Sequence, residues 1–123
     1  MKREIYLISL LLSLLLVACG STDNYGYPSH ITFEKDGGTK VCSGTSGCYH
    51  VEIHDYNGDG NTTYSKGEND TIIATYDWLT VKFRLYTEVL KITALPNTTG
   101  KKRTLYLSGM VNDFSADIKV TQH

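Results

Sequence analysis

The chain reads as all-β, an immunoglobulin-like antiparallel β-sandwich of seven or eight strands, on three observations. Beyond residue 30, no window repeats apolar residues at helical spacing. Short runs of β-branched and aromatic residues alternate with period two, and clusters of Gly, Asn and Asp interrupt them. In "WLTVKFRLY", Leu79, Val81, Phe83 and Leu85 fall on one face, while Thr80, Lys82 and Arg84 fall on the other. Such a strand has one dry face and one wet face, as in an antiparallel sheet packed on a core. The density of short strands then points to a sandwich.

The elements follow in chain order. Residues 1–18 read as an export signal: Lys2 and Arg3 precede an apolar run over 5–17 that is shorter than the roughly 20 residues a membrane-spanning helix needs. The tetrad Leu16-Val17-Ala18-Cys19 resembles a bacterial lipobox. That resemblance implies cleavage before Cys19 and lipidation of its sulfur. Several buried acyl chains, at about 0.8 kcal/mol per CH₂, anchor a protein stably where one chain does not. Residues 19–30, "CGSTDNYGYPSH", read as the lipidated cysteine and a flexible tether, and 31–123 as a single domain. Strands are expected in "ITFEK" and "TKV". In "CYHVEIHDY", Tyr49, Val51 and Ile53 face inward and His50, Glu52 and His54 outward. "TIIATY" and "WLTVKFRLY" follow, then "EVLKITAL" with Leu90, Ile92 and Ala94 inward. "RTLYLSGM" and "ADIKVTQ" close the chain on Leu105, Leu107, Ile118 and Val120. Trp78, just ahead of the clearest strand, reads as a core plug.

Charge excludes some functions. The formal net charge is −1, and removing residues 1–18 takes two cations and one carboxylate, leaving −2. The largest basic cluster is "KKR" at 101–103, so no nucleic-acid partner is expected. With Cys19 lipidated, Cys42 and Cys48 in "CSGTSGC" form an even pair in an oxidising compartment, and a disulfide is expected between them. Closing so small a loop is worth about 2 kcal/mol in the chain-entropy account.

The stretch "HDYNGDGNTTYSKGEND" over 54–70 raises a metal question. Asp55, Asn57, Asp59 and Gly60 fall on the spacing D-x-N-x-D-G, which can place three oxygens around a calcium ion. An EF-hand closes with a bidentate Glu at its twelfth position, and that position here is Lys66. Two readings stand: a non-helical calcium loop on Asp55, Asn57 and Asp59, or a polar turn of residues that tolerate positive φ. Calcium is the one cofactor the residues suggest. The triplet His50, Glu52, His54 shares a strand face and could ligate zinc, but half-exposed strands are polar on that face anyway. It reads as solvent face.

No G-x-S-x-G elbow and no carboxylate pair in an acid–base setting is present, so catalysis is not expected. Sugar binding needs aromatic faces flanked by amides and carboxylates. Tyr56, Tyr64, Asn57 and Asn61 supply that chemistry in or beside the 55–70 loop.

Taken together, "ITFEKDGGTK", "YDWLTV", "ALPNTTGKKRTLYLSG" and the closing "IKVTQ" resemble a BACON domain, the Bacteroidetes-associated, carbohydrate-binding, often N-terminal family. The residues that carry the resemblance are Gly37-Gly38-Thr39, Asp77-Trp78-Leu79, Asn97, Gly100, Arg103 and Val120-Thr121-Gln122. It covers roughly 31–122. It implies an immunoglobulin-like sandwich on a cell-envelope protein; together with the lipobox, the expectation is a lipid tether to the outer membrane of a Gram-negative bacterium. It further implies glycan binding, or an accessory role in polysaccharide or mucin handling. The 42–48 and 57–70 segments depart from the family pattern as insertions. The competing expectation is a structural or spacer lipoprotein that contacts other envelope proteins and binds no sugar.

Overall fold

The computed structural model describes residues 24–55 and 61–123. The expected signal, Cys19 and the start of the tether lie outside them. Nine strands order the described residues: β1 (His30–Phe33), β2 (Gly38–Ser43), β3 (His50–His54), β4 (Thr63–Lys66), β5 (Thr71–Tyr76), β6 (Leu79–Arg84), β7 (Val89–Ala94), β8 (Arg103–Val111) and β9 (Phe114–Gln122). They form two sheets, β1-β9-β8-β3 and β2-β7-β6-β5-β4, with the core between them. The all-β, immunoglobulin-like sandwich is as the alternation predicts.

The count exceeds seven or eight because β4 lies inside the segment read as an inserted loop. "TYSK" has no apolar alternation and all four residues are exposed, so cross-strand pairing to β5, not burial, makes it a strand. One pair also departs from the antiparallel rule, since β1 runs parallel to β9. From β1 the chain crosses to the other sheet, so no hairpin obliges it to run back along its neighbour.

The predicted inward faces are buried, with two exceptions at strand ends. Leu79, Val81, Phe83, Leu90, Ile92, Leu105, Leu107, Ile118 and Val120 are all core residues. Leu85 is 49% exposed because β6 ends at Arg84, and Tyr49 is 41% exposed because it precedes β3.

Residues 24–29 are not tether. Tyr27 is fully buried, its hydroxyl donates to Ser46 O at 2.7 Å, and its ring lies where a side chain on Gly44 would be. Asn24 clamps β9 from both sides of its amide: Nδ2 donates to Asp117 O at 2.8 Å and Oδ1 accepts from Asp117 N at 3.0 Å. The polar composition of the segment conceals one aromatic anchor.

Nor is the expected disulfide present: Cys42 and Cys48 are two buried thiols. Cys42 faces the core from β2, whereas Cys48 leads into β3 in the opposite sheet. The Cys48 thiol points at Tyr27 Oη, 3.7 Å away, and packs where a Cβ on Gly109 would stand.

The residues that carry the BACON resemblance, dispersed along the chain, converge at one end of the sandwich. Trp78 is a core plug, 4% exposed, with the Arg103 guanidinium 4.6 Å above its ring. Arg103 Nε donates to Gln122 Oε1 at 2.8 Å, and Gln122 Nε2 donates to the carbonyls of Glu34 and Leu95. Asn97 Nδ2 donates to Lys101 O and His123 O while its Oδ1 accepts from Thr99. Gly37, at φ 80°, passes so close to Ala94 O that a Cβ there would collide with it. These positions satisfy buried polar groups and close the end of the sandwich; their work is architectural.

Candidate functional site

The site lies where the open edges of the two sheets meet, β3 on one side and β4 on the other. Strand alternation sends His50, Glu52 and His54 outward from β3, while Val51 and Ile53 are fully buried. The register sets Tyr64 opposite Ala74, on the inward row of its sheet. At an edge strand an inward side chain need not reach the core, and Tyr64 extends to the other sheet instead. Its hydroxyl donates to Val51 O at 2.8 Å and lies 3.2 Å from His50 Nε2, and the two rings sit 5.2 Å apart at 34°. Because that hydroxyl proton goes to the carbonyl, the contact with His50 needs a proton on Nε2. The same nitrogen is 3.4 Å from Glu52 Oε1. Burial pushes the Tyr64 phenol up, with a smaller opposing influence from Thr62.

Thr62 closes the next step along the same edge. Its Oγ1 donates to Ile53 O at 2.8 Å and accepts from Ile53 N at 3.0 Å. Two side chains therefore occupy Val51 O and both backbone groups of Ile53 on the outer edge of β3, where an unpaired edge would otherwise invite another strand. His54 is held by Ser108 Oγ at 3.1 Å and Asp55 O at 3.2 Å, and stacks on Tyr106.

These side chains line a cleft of about 480 Å³, whose described walls are His50, Glu52, Ile53, His54, Asn61, Thr62 and Tyr64. A second, more apolar hollow of about 320 Å³ shares His50 and Tyr64 and adds Ile72 and Phe83. One aromatic ring, two imidazoles, a carboxylate, an amide and a hydroxyl thus converge on one opening. A hydroxyl-bearing ring compound could stack there and bond its edge.

Of the residues expected to bind, Tyr64 and Asn61 line this cleft. Tyr64 is a strand residue whose hydroxyl latches the sheets together, not a loop-tip platform. Tyr56, Asn57 and Asp59 lie outside the described residues. Asp55 follows β3, half-buried, and no group of three or more His, Cys, Asp or Glu able to hold a metal occurs among the described residues. His50, Glu52, His54 and Thr62 belong to the site although their pattern reads as ordinary solvent face. The only hint of them in the chain is that polar triplet; what gathers it with Tyr64 is the pairing of β4 to β5. Compared with family models, curated proteins and solved structures, the chain matches none.

Proposed function

We propose that this chain is a non-enzymatic, BACON-like lipoprotein, tethered through Cys19 to the outer membrane of a Gram-negative bacterium, whose sandwich binds glycan in the cleft between β3 and β4. The observation that carries the reading is the convergence of Tyr64, His50, Glu52, His54, Asn61 and Thr62 on one opening about 480 Å³ in size. A stacking ring with short polar side chains around it is the composition a sugar requires. Glu52 is the one carboxylate among the described cleft walls, whereas glycoside hydrolysis uses two. The chemistry therefore favours binding, in an accessory role in polysaccharide or mucin handling.

A second reading, a protein-interaction lipoprotein that binds no sugar, has one observation in its favour. The β6–β7 turn and the start of β7 expose Leu85 (49%), Tyr86 (73%) and Val89 (43%) close together in the chain.

A neutral-glycan array probed with the purified chain, then with Tyr64→Ala and Tyr56→Ala, separates the two. The first reading expects binding that weakens at least about tenfold, roughly 1.4 kcal/mol, in Tyr64→Ala. Absence of binding at millimolar sugar concentrations overturns it.

A further inference from the structure

The sheet formed by β2, β4, β5, β6 and β7 contains Lys40, Lys66, Lys82, Arg84 and Lys91 and not one Asp or Glu. The carboxylates flanking its strands are confined to connections: Glu34 and Asp36 before β2, Glu68 and Asp70 before β5, Asp77 between β5 and β6, and Glu88 between β6 and β7. Lys82, Arg84 and Lys91 are exposed on the outward face, and no ion pair reaches them among the described residues. Lys82 and Lys91 are direct cross-strand partners. Like charges placed directly opposite one another destabilise a sheet. Arg84 stands on the same face two residues along β6, which adds a third positive charge.

Beside these cations a file of threonines crosses the whole sheet. The pairings Thr39–Thr93, Thr93–Thr80, Thr80–Thr75 and Thr75–Thr63 run through all five strands without a break. Oγ1 of Thr39 is 3.0 Å from that of Thr93, and Oγ1 of Thr63 donates to Thr75 O at 3.2 Å. With strands about 4.8 Å apart, the file presents neutral hydroxyls over roughly 19 Å across the sheet.

We propose that this outward face binds an acidic polysaccharide. Its carboxylate or sulfate groups engage Lys82, Lys91 and Arg84, and its hydroxyls lie along the threonine file. An external anion between Lys82 and Lys91 relieves a repulsion that nothing on the sheet itself answers. The outward rows of these strands contain no aromatic residue to stack a nucleobase or to sit at a lipid interface, and the whole chain has a net charge of −1. A hydroxyl-rich polymer of moderate charge density fits that surface better than a nucleic acid or a bilayer. This face is separate from the β3–β4 cleft, so the proposal stands or falls independently of that site.

The test titrates the purified chain at about 50 mM salt, where surface charge is weakly screened, with four probes. Polygalacturonate carries carboxylates only, dextran sulfate carries sulfates only, and neutral dextran and a DNA oligonucleotide serve as contrasts. Binding to one or both acidic polysaccharides is expected, and which one binds names the anionic group. The double variant Lys82→Gln/Lys91→Gln is expected to bind at least about tenfold more weakly, with a melting temperature equal to or above that of the parent because the repulsion is gone. Thr80→Val/Thr93→Val, which leaves the charge intact, is expected to weaken binding about threefold. Neutral dextran or DNA bound as tightly as the acidic polysaccharides overturns the proposal. So does a lysine double variant that binds like the parent, or loss of acidic-polysaccharide binding in Tyr64→Ala.

Discussion

Tyr64 and Trp78 show how much a single side chain does here. The Tyr64 hydroxyl occupies Val51 O across the seam between the sheets. Tyr64→Phe leaves that carbonyl without its partner and is expected to lower unfolding free energy by about 1 kcal/mol in urea melts. If it melts like the parent, the latch is not stabilising. Trp78 fills the end of the core under Arg103, and Trp78→Ala is expected to cost about 3–5 kcal/mol. Trp78 was legible as a plug from its place before an alternating strand. The role of Tyr64 was not, because the sequence around it reads as a loop and its hydroxyl partner is 13 residues away.

Among the elements, the strands with buried alternation are readable and those held by pairing alone are not. β6 through β9 carry apolar residues at nearly every second position, broken by Gly109 and Gln122, so their inward faces follow from period two. β4 has no such pattern, and only the neighbouring β5 makes it a strand. The 24–29 segment errs the other way, since its Gly, Pro and Ser suggest a linker while Tyr27 and Asn24 bind it to the sandwich. Replacing residues 24–29 with a Gly/Ser stretch of equal length is expected to lower the urea midpoint markedly, by the equivalent of at least about 3 kcal/mol for the lost aromatic anchor. An unchanged midpoint would show that the segment is not part of the folded unit.

For the whole molecule, buried weak acids set the alkaline limit of stability. Burial pushes the Tyr27 phenol and the Cys48 thiol up, and the Tyr64 phenol moves the same way. A group whose folded-state pKa is raised contributes stability that is whole below its unfolded pKa. That contribution is lost as pH rises, because the unfolded chain releases the proton first. The window opens near the ordinary thiol value, about 8.5, and widens near the phenol value, about 10. Melting temperature is therefore expected to hold from pH 6 to 8 and to fall from pH 9 to 11. The fall should be shallower in Tyr27→Phe, which lacks that buried phenol. Equal slopes in both proteins would remove Tyr27 from the account. The same burial keeps Cys48 protonated at neutral pH, where it resists alkylation until the protein unfolds.

At this scale the sequence by itself determined the fold class, the single core and most of its inward faces, because period-two alternation is a local property that each strand displays on its own. Register and sheet order were decided only in the tertiary structure. They bring Tyr64 to His50, Arg103 to Trp78, and five threonines into one file from five separate strands. None of these meetings has a signature in the chain, since each depends on which strands become neighbours and in what alignment. That alignment is set by the packing of all the inward faces at once.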